Sequence, residues 1–441
     1  MTIAADRRTR DRDDPLIRTA NSLVLNVVIS SALGFGFWIA AARSLPSTAV
    51  GRDSALVAAM VALSSICQLN LAAGIHRFLR VTRLSPARVI VGAYGASGMV
   101  ALLGATAFVL IAPALSSEFG FLREREWLAP LFVAAVVLWG VFNLQDAALT
   151  ALRRAPWVPI ENATFGILKI ALLPPLIATG VVHSIFIAWM IPMVLLLIPM
   201  NFLLFARAVP QRPPRGAGAS PVERFGRRGL ARFLAQDYVG TIFMLTTMTV
   251  LPLVVVATIG SSAGAHFYMP FMIITAFDLI FVNIASSVTV EGGAAGGEFP
   301  LLVRRVVRRF GAMLAGGVAV LAVGAPLILL PFGASYAEAG APVLRLLACA
   351  SAARAVVGLY VAVCRIEGRS MRILEIQALT LAGVMTLTVL LGGAHGITGV
   401  AMGWLLANGL AVCLVLRRVI VVLRLANRLA HDLEQPHHVV R

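Results

Sequence analysis

The chain has 441 residues, 59% of them apolar and only 13% charged. With its 38 glycines added, about two-thirds of the chain is apolar, where soluble domains hold about 45–50%. That much apolar surface cannot be hidden from water at this size, so the bilayer is the solvent and a water-soluble enzyme is excluded.

Twelve apolar stretches are long enough to cross a bilayer. In chain order the first six lie near 19–42, 50–75, 88–113, 127–150, 158–180 and 183–206. The second six lie near 233–259, 264–290, 310–332, 341–364, 372–393 and 396–422. The first stretch is too long for a signal-peptide core and no cleavage site follows it. The expected fold is an all-α polytopic membrane protein, with two six-helix lobes related by a pseudo-two-fold along the membrane normal. Residues 1–206 form the first lobe, 207–232 a basic linker, 233–422 the second lobe and 423–441 a basic tail. The tail reads as a short amphipathic helix on the membrane surface.

Charge placement sets the expected orientation. The net charge is +17, from 36 arginines and the single lysine Lys169 set against 20 acids. If the N-terminus is cytoplasmic, thirty basic residues fall on that side and four, Arg43, Arg52, Arg123 and Arg125, fall outside. This is the positive-inside pattern, and it places both termini in the cytoplasm of a cell-membrane protein. The excess charge therefore faces anionic membrane lipids, not nucleic acid.

Internal similarity appears at an offset of about 212–214 residues. Phe119-Gly120 matches Phe332-Gly333, and Ala129-Pro130 matches Ala341-Pro342. Arg153 and Arg365 follow at matching cytoplasmic ends, then Glu161 and Glu375 early in the next span. An even number of spans per repeat gives both lobes the same orientation.

Several chemistries find no residues. Lys169 stands in Ile-Leu-Lys-Ile, so no phosphate-binding Gly-rich loop with its lysine exists. Cys67, Cys349, Cys364 and Cys413 form no C-x-x-C pair, and buried thiols without disulfide or metal are expected. Neither cofactor nor catalytic residue is expected. The loop after span 2, Ala73-Gly74-Ile75-His76-Arg77-Phe78-Leu79-Arg80, lacks the acid of the major-facilitator motif.

Ionisable groups at bilayer depth are expensive and need a partner or a wet cavity. The deepest are Lys169, Asp278 and Arg354, and two readings stand for them. They staple helices together, or they line a cationic cavity in which Lys169 and Arg354 attract a diphosphate. Asp278 then holds a coupling ion, H⁺ or Na⁺, or neutralises an arginine. Asn26, Gln68 and Asn283 are candidate sugar contacts beside Asn70, Asn143, Gln145 and Asn408, polar glue between helices being the competing role. Asp53, Asp146, Glu161, Asp237, Arg345 and Glu375 lie near span ends and are expected to snorkel or face water.

Short stretches carry a family resemblance. They are Ala42-Arg43-Ser44-Leu45 with Gly51, Gly74 with Arg77-Phe78-Leu79, Leu251-Pro252, Gly264 with Tyr268, Phe332-Gly333-Ala334-Ser335-Tyr336, and Arg365-Ile366-Glu367-Gly368-Arg369. In order and spacing, over nearly the whole chain, they resemble the multidrug/oligosaccharidyl-lipid/polysaccharide exporter superfamily. The polysaccharide-repeat-unit flippases look most similar. The resemblance implies two lobes around a cavity lined by spans 1, 2, 7 and 8, and a polyprenyl-diphosphate-linked glycan as cargo. Such a protein works beside a polysaccharide polymerase or glycosyltransferases. The lipid II flippase branch carries arginines within span 1, whereas this chain has no basic residue between Arg18 and Arg43, which argues against a peptidoglycan precursor. A drug/cation antiporter and a membrane glycosyl- or acyltransferase are the alternatives. The short loops count against the transferase.

Overall fold

The computed structural model describes residues 15–79, 85–152, 154, 156–209, 221–295 and 299–434. The described residues are almost entirely helical, with no strand among them. The chain divides into two compact units, Met1–Leu230 and Ala231–Arg441, called lobe 1 and lobe 2 below.

Lobe 1 contains α1 (Pro15–Ser44), α2 (Ser47–Cys67), the short α3 (Leu71–Phe78) and α4 (Pro86–Leu115). A 3₁₀ turn (Ser117–Phe119) and α5 (Phe121–Glu124) lead to α6 (Leu128–Ala151), α7 (Trp157–Ala178) and α8 (Ser184–Leu203). α9 (Pro221–Ile259) starts before the division at Leu230 and continues into lobe 2, which also holds α10 (Ser261–Ala295), α11 (Phe299–Val323) and α12 (Ala325–Leu329). A 3₁₀ turn (Leu330–Phe332), α13 (Ala334–Ile366) and the 65-residue α14 (Ser370–Glu434) complete it.

Among the described residues nine helices are long and apolar enough to span, and the bent pair α11/α12 makes ten. α14 is too long for one crossing and breaks at His395 and Gly396, which makes eleven. α1, with 30 residues, is about 45 Å long at the α-helical rise and supplies the twelfth. The chain is a multi-pass membrane protein of the expected class.

The structure corrects several details. The second span ends at Cys67, because Leu69 and Asn70 adopt left-handed backbone (φ 53° each) before α3 begins. No glycine or proline marks this break, which leans on asparagine's tolerance of that region. The ninth span bends by 72° at Gly324, where Pro326 stands in the first turn of α12 and cannot donate back to the preceding helix. The tail does not form a separate surface helix. α14 runs on to Glu434, since 424–434 holds good helix formers and neither Gly nor Pro. Cys349 and Cys413 are exposed, not buried.

The internal repeat is visible in local geometry. Both 3₁₀ turns end on a buried phenylalanine, Phe119 or Phe332. The last turn of each lobe carries a left-handed residue, His183 (φ 60°) or Gly396 (φ 58°), at the repeat's offset. The glutamates are not equivalent: Glu161 is 2% exposed, whereas Glu375 is exposed and pairs with Arg372 at 3.0 Å.

Packing differs between the lobes. Lobe 1 holds an aromatic cluster of Trp139, Phe142, Phe165 and Trp189, with centroids 5.4–5.9 Å apart. At one end Asp53 accepts the backbone N–H groups of Ile185 (3.0 Å) and Phe186 (3.3 Å), with His183 Nδ1 at 2.6 Å. A carboxylate there satisfies orphan donors at the start of α8. Lobe 2 centres on Leu251, Phe267, Phe271, Leu347 and Trp404. Its closest approach is inside α14, where the two limbs meet backbone to backbone. A Cβ at Gly403 lies 2.6 Å from the Leu387 carbonyl carbon, and one at Gly399 only 1.9 Å from the Leu391 oxygen. Gly399-Val-Ala-Met-Gly403 is the small-residue spacing that lets membrane helices touch.

Candidate functional site

Two helices bring the deepest charges of lobe 2 together. α10 and α13 pack along their length, and Arg354 Nη1 donates to Asp278 Oδ2 in a short ion pair. Asp278 is 4% exposed. The guanidinium also lies 5.1 Å from the ring centre of Trp404, on the second limb of α14, an arrangement that suits its planar cation. One turn before Arg354, Ser351 turns its hydroxyl back to the Leu347 carbonyl (3.3 Å). The same hydroxyl also reaches the Asp278 carboxylate, so α13 offers that acid Ser351 beside Arg354.

The pair lines a small open cavity of about 80 Å³. Thr247, Gln377, Thr380 and Asn408 add hydroxyl and amide groups, while Met244, Met248 and Phe281 supply apolar wall. The cavity thus combines one guanidinium, one carboxylate and uncharged hydrogen-bonding groups. Such a surface can bind a polar ligand, and no cluster able to hold a metal exists among the described residues.

Lys169 belongs to the core of lobe 1 and is 5% exposed. Its ammonium sits 4.3 Å from the ring centre of Trp189 and 5.1 Å from those of Phe37 and Phe165. Phe165 is one turn back on α7, and the other rings come from α1 and α8. Cation–π attraction contributes roughly 2 kcal/mol or more per ring only when the cation is desolvated. No acid pairs with Lys169 among the described residues, so burial weighs against its charge. Lys169→Met should therefore leave the purified protein at least as resistant to thermal unfolding as wild type. A clear fall in the midpoint would show that the rings outweigh desolvation.

The sugar-contact candidates scatter. Gln68 caps the end of α2 and is half-buried. Asn283 is exposed on α10. The side chain of Asn26, on α1, lies outside the described residues, as does that of Asp237. Asn408 lines the cavity while donating to the Trp404 carbonyl (2.8 Å).

A polar group in lobe 1 escaped the sequence reading. Gln145 donates to Glu161, Asn201 donates to Gln145 (2.5 Å), and Tyr94 donates to Asn201 (3.1 Å). Asn162 donates to Asp146 (3.2 Å). Asp146 and Glu161, expected to snorkel, are instead held inside the lobe. The available signal was the doublets Gln145-Asp146 and Glu161-Asn162, two adjacent polar residues inside apolar runs.

No protein-family model matches the chain, and no curated protein does. Solved structures do. An inward-facing multidrug resistance MATE family transporter of the MOP superfamily superposes with a TM-score of 0.62 at 17% identity, covering 94% of this chain and 99% of that one. The fold is that of MOP-superfamily transporters. An outward-facing MATE structure gives 0.57 at 15% identity over 96% of both chains. A MOP transporter from Pyrococcus furiosus, described as having a binding pocket of reverse polarity, gives 0.58 at 16% identity over 96% of both. At these identities the likeness is one of fold.

Proposed function

We propose that the protein is a non-enzymatic transporter working by alternating access, carrying a polyprenyl-diphosphate-linked oligosaccharide from the inner to the outer leaflet. Neighbours of the same fold have been captured inward- and outward-facing, which supports the alternating cycle. The cargo reading rests on the lobe 2 cavity, where Arg354 stands among Gln377, Asn408, Thr247 and Thr380. A guanidinium presents a planar fork of donors to phosphate oxygens, and amides and hydroxyls match sugar hydroxyls. Asp278 holds the guanidinium while no cargo is bound and must release it for the phosphate. In this reading both termini are cytoplasmic, and glycosyltransferases or a polymerase supply and consume the cargo.

A second reading has a specific support. Two neighbours are described as multidrug resistance transporters, and Met244, Met248 and Phe281 give the cavity the adaptable wall that apolar cations favour. Drug/cation antiport against H⁺ or Na⁺ is therefore the competitor. Arg354→Ala should reduce surface glycan at least tenfold per molecule of transporter present in the membrane, and Arg354→Lys should recover only part of it. Resistance to toxic organic cations should not change in either variant. Unchanged glycan with altered cation resistance would replace the first reading by the second.

A further inference from the structure

We propose that Asp146 and Glu161 form a proton-binding carboxyl pair inside lobe 1, holding one proton between them, separate from the lobe 2 cavity. The geometry starts from unpaired acceptors. Glu161 is 2% exposed, with Oε1 occupied by Gln145 and Oε2 buried without a hydrogen-bond partner. Asp146 repeats this, with Oδ2 occupied by Asn162 and Oδ1 buried without a partner. Two bonds cross the α6–α7 hairpin, Gln145 to Glu161 and Asn162 to Asp146, so each acid is held beside the other's chain neighbour. Each therefore offers one idle acceptor atom, and a buried acceptor without a donor is unfavourable, more so when charged.

No cation answers them among the described residues. α4 presents Tyr94, whose hydroxyl is committed to Asn201. α2 presents Asp53, bonded to His183 at the opposite end of the lobe, and α3 presents the exposed His76. α1 carries no ionisable side chain between 29 and 42. α8 brings Asn201 and, past its end, Arg207, while Arg154 lies over the Trp157 ring (5.5 Å). Lys169 is two turns further along α7, about 12 Å by helical rise, inside its aromatic cage. Two ionised carboxylates close together in a low-dielectric site repel strongly, and sharing one proton is the usual resolution. A proton also supplies the missing donor.

The surrounding backbone fits a working site. Asn201, which ties Gln145 to Tyr94, is followed at once by a π-helical segment, Leu204–Ala208. Such segments recur at functional sites. The pair gives lobe 1 a charge state that a proton gradient can load, without reference to which cargo lobe 2 binds.

Infrared spectra of the purified protein in neutral-lipid bilayers near neutral pH test this directly. Wild type should show a protonated-carboxyl carbonyl band that shifts on deuterium exchange. The isosteric double variant Asp146→Asn/Glu161→Gln keeps the amide contacts and should lose the band, whereas Asp278→Asn should keep it. The single variant Asp146→Asn should move the band in frequency, which serves if the double variant folds poorly. A wild-type spectrum without the band overturns the proposal, as does a band that survives the double variant. So does a band abolished when Na⁺ replaces K⁺, since a metal cation then occupies the pair. None of these outcomes depends on Arg354 or on the cargo.

Discussion

Arg354→Ala and Asp278→Asn should each destabilise the purified protein by about 3–5 kcal/mol, the usual consequence of stranding one member of a buried ion pair. The acid is 4% exposed, so little water reaches the charge left behind. The double variant Asp278→Leu/Arg354→Met should recover most of that loss, because no desolvated charge remains and the volumes are similar. Thermal unfolding of the four proteins closes the cycle. A recovered double variant that still exports no glycan separates the pair's structural role from its part in transport. Single variants as stable as wild type would mean that water bathes the pair, and the cavity would then be wetter than its lining suggests.

The second large effect is steric. Gly403→Leu should abolish recovery of folded protein from membranes, while Gly409→Ala should leave it unchanged. A Cβ at position 403 meets the Leu387 carbonyl and the Thr388 nitrogen at 2.6–2.7 Å, and at position 409 it meets nothing within 4 Å. Backbone cannot swing aside as a flexible side chain does, so the two limbs of α14 must separate. Overpacking of ordinary cores costs about 1–3 kcal/mol. Here the displaced contact is the seam on which lobe 2 folds back, and the loss should be larger. Gly403→Ala, with one methyl, should give an intermediate yield measurable by size-exclusion chromatography.

The sequence pattern exposed some layers of this molecule and hid others for physical reasons. Span length and apolarity were legible because a bilayer imposes both, and the repeat was legible at Phe119 and Phe332 because each ends a 3₁₀ turn. The pairing of Asp278 with Arg354 was one of two readings of their depth, and only α10–α13 packing chooses the partner. Lys169 could not be placed by spacing, since two of its three rings come from other helices. The Glu161 group was hidden for a related reason. Its members are 16, 56 and 107 residues apart in sequence, and uniformly apolar spans give no periodicity to show which face turns inward. The break at Leu69-Asn70 lacked the glycine or proline that usually announces one.

Asp53 has a consequence for biosynthesis. Its partners, His183 and the first amides of α8, are 130–133 residues further along the chain. At about 5–20 residues per second, span 2 enters the membrane roughly 7–26 s before anything can bond its carboxylate. Asp53 stands on the seventh residue of α2, near enough to the span's end to keep its charge in water during that interval. An acid in the middle of the same span would have to wait in hydrocarbon. Moving it one turn deeper, by exchanging Asp53 and Val57, should therefore delay or divert insertion of span 2 itself, before span 6 exists to matter.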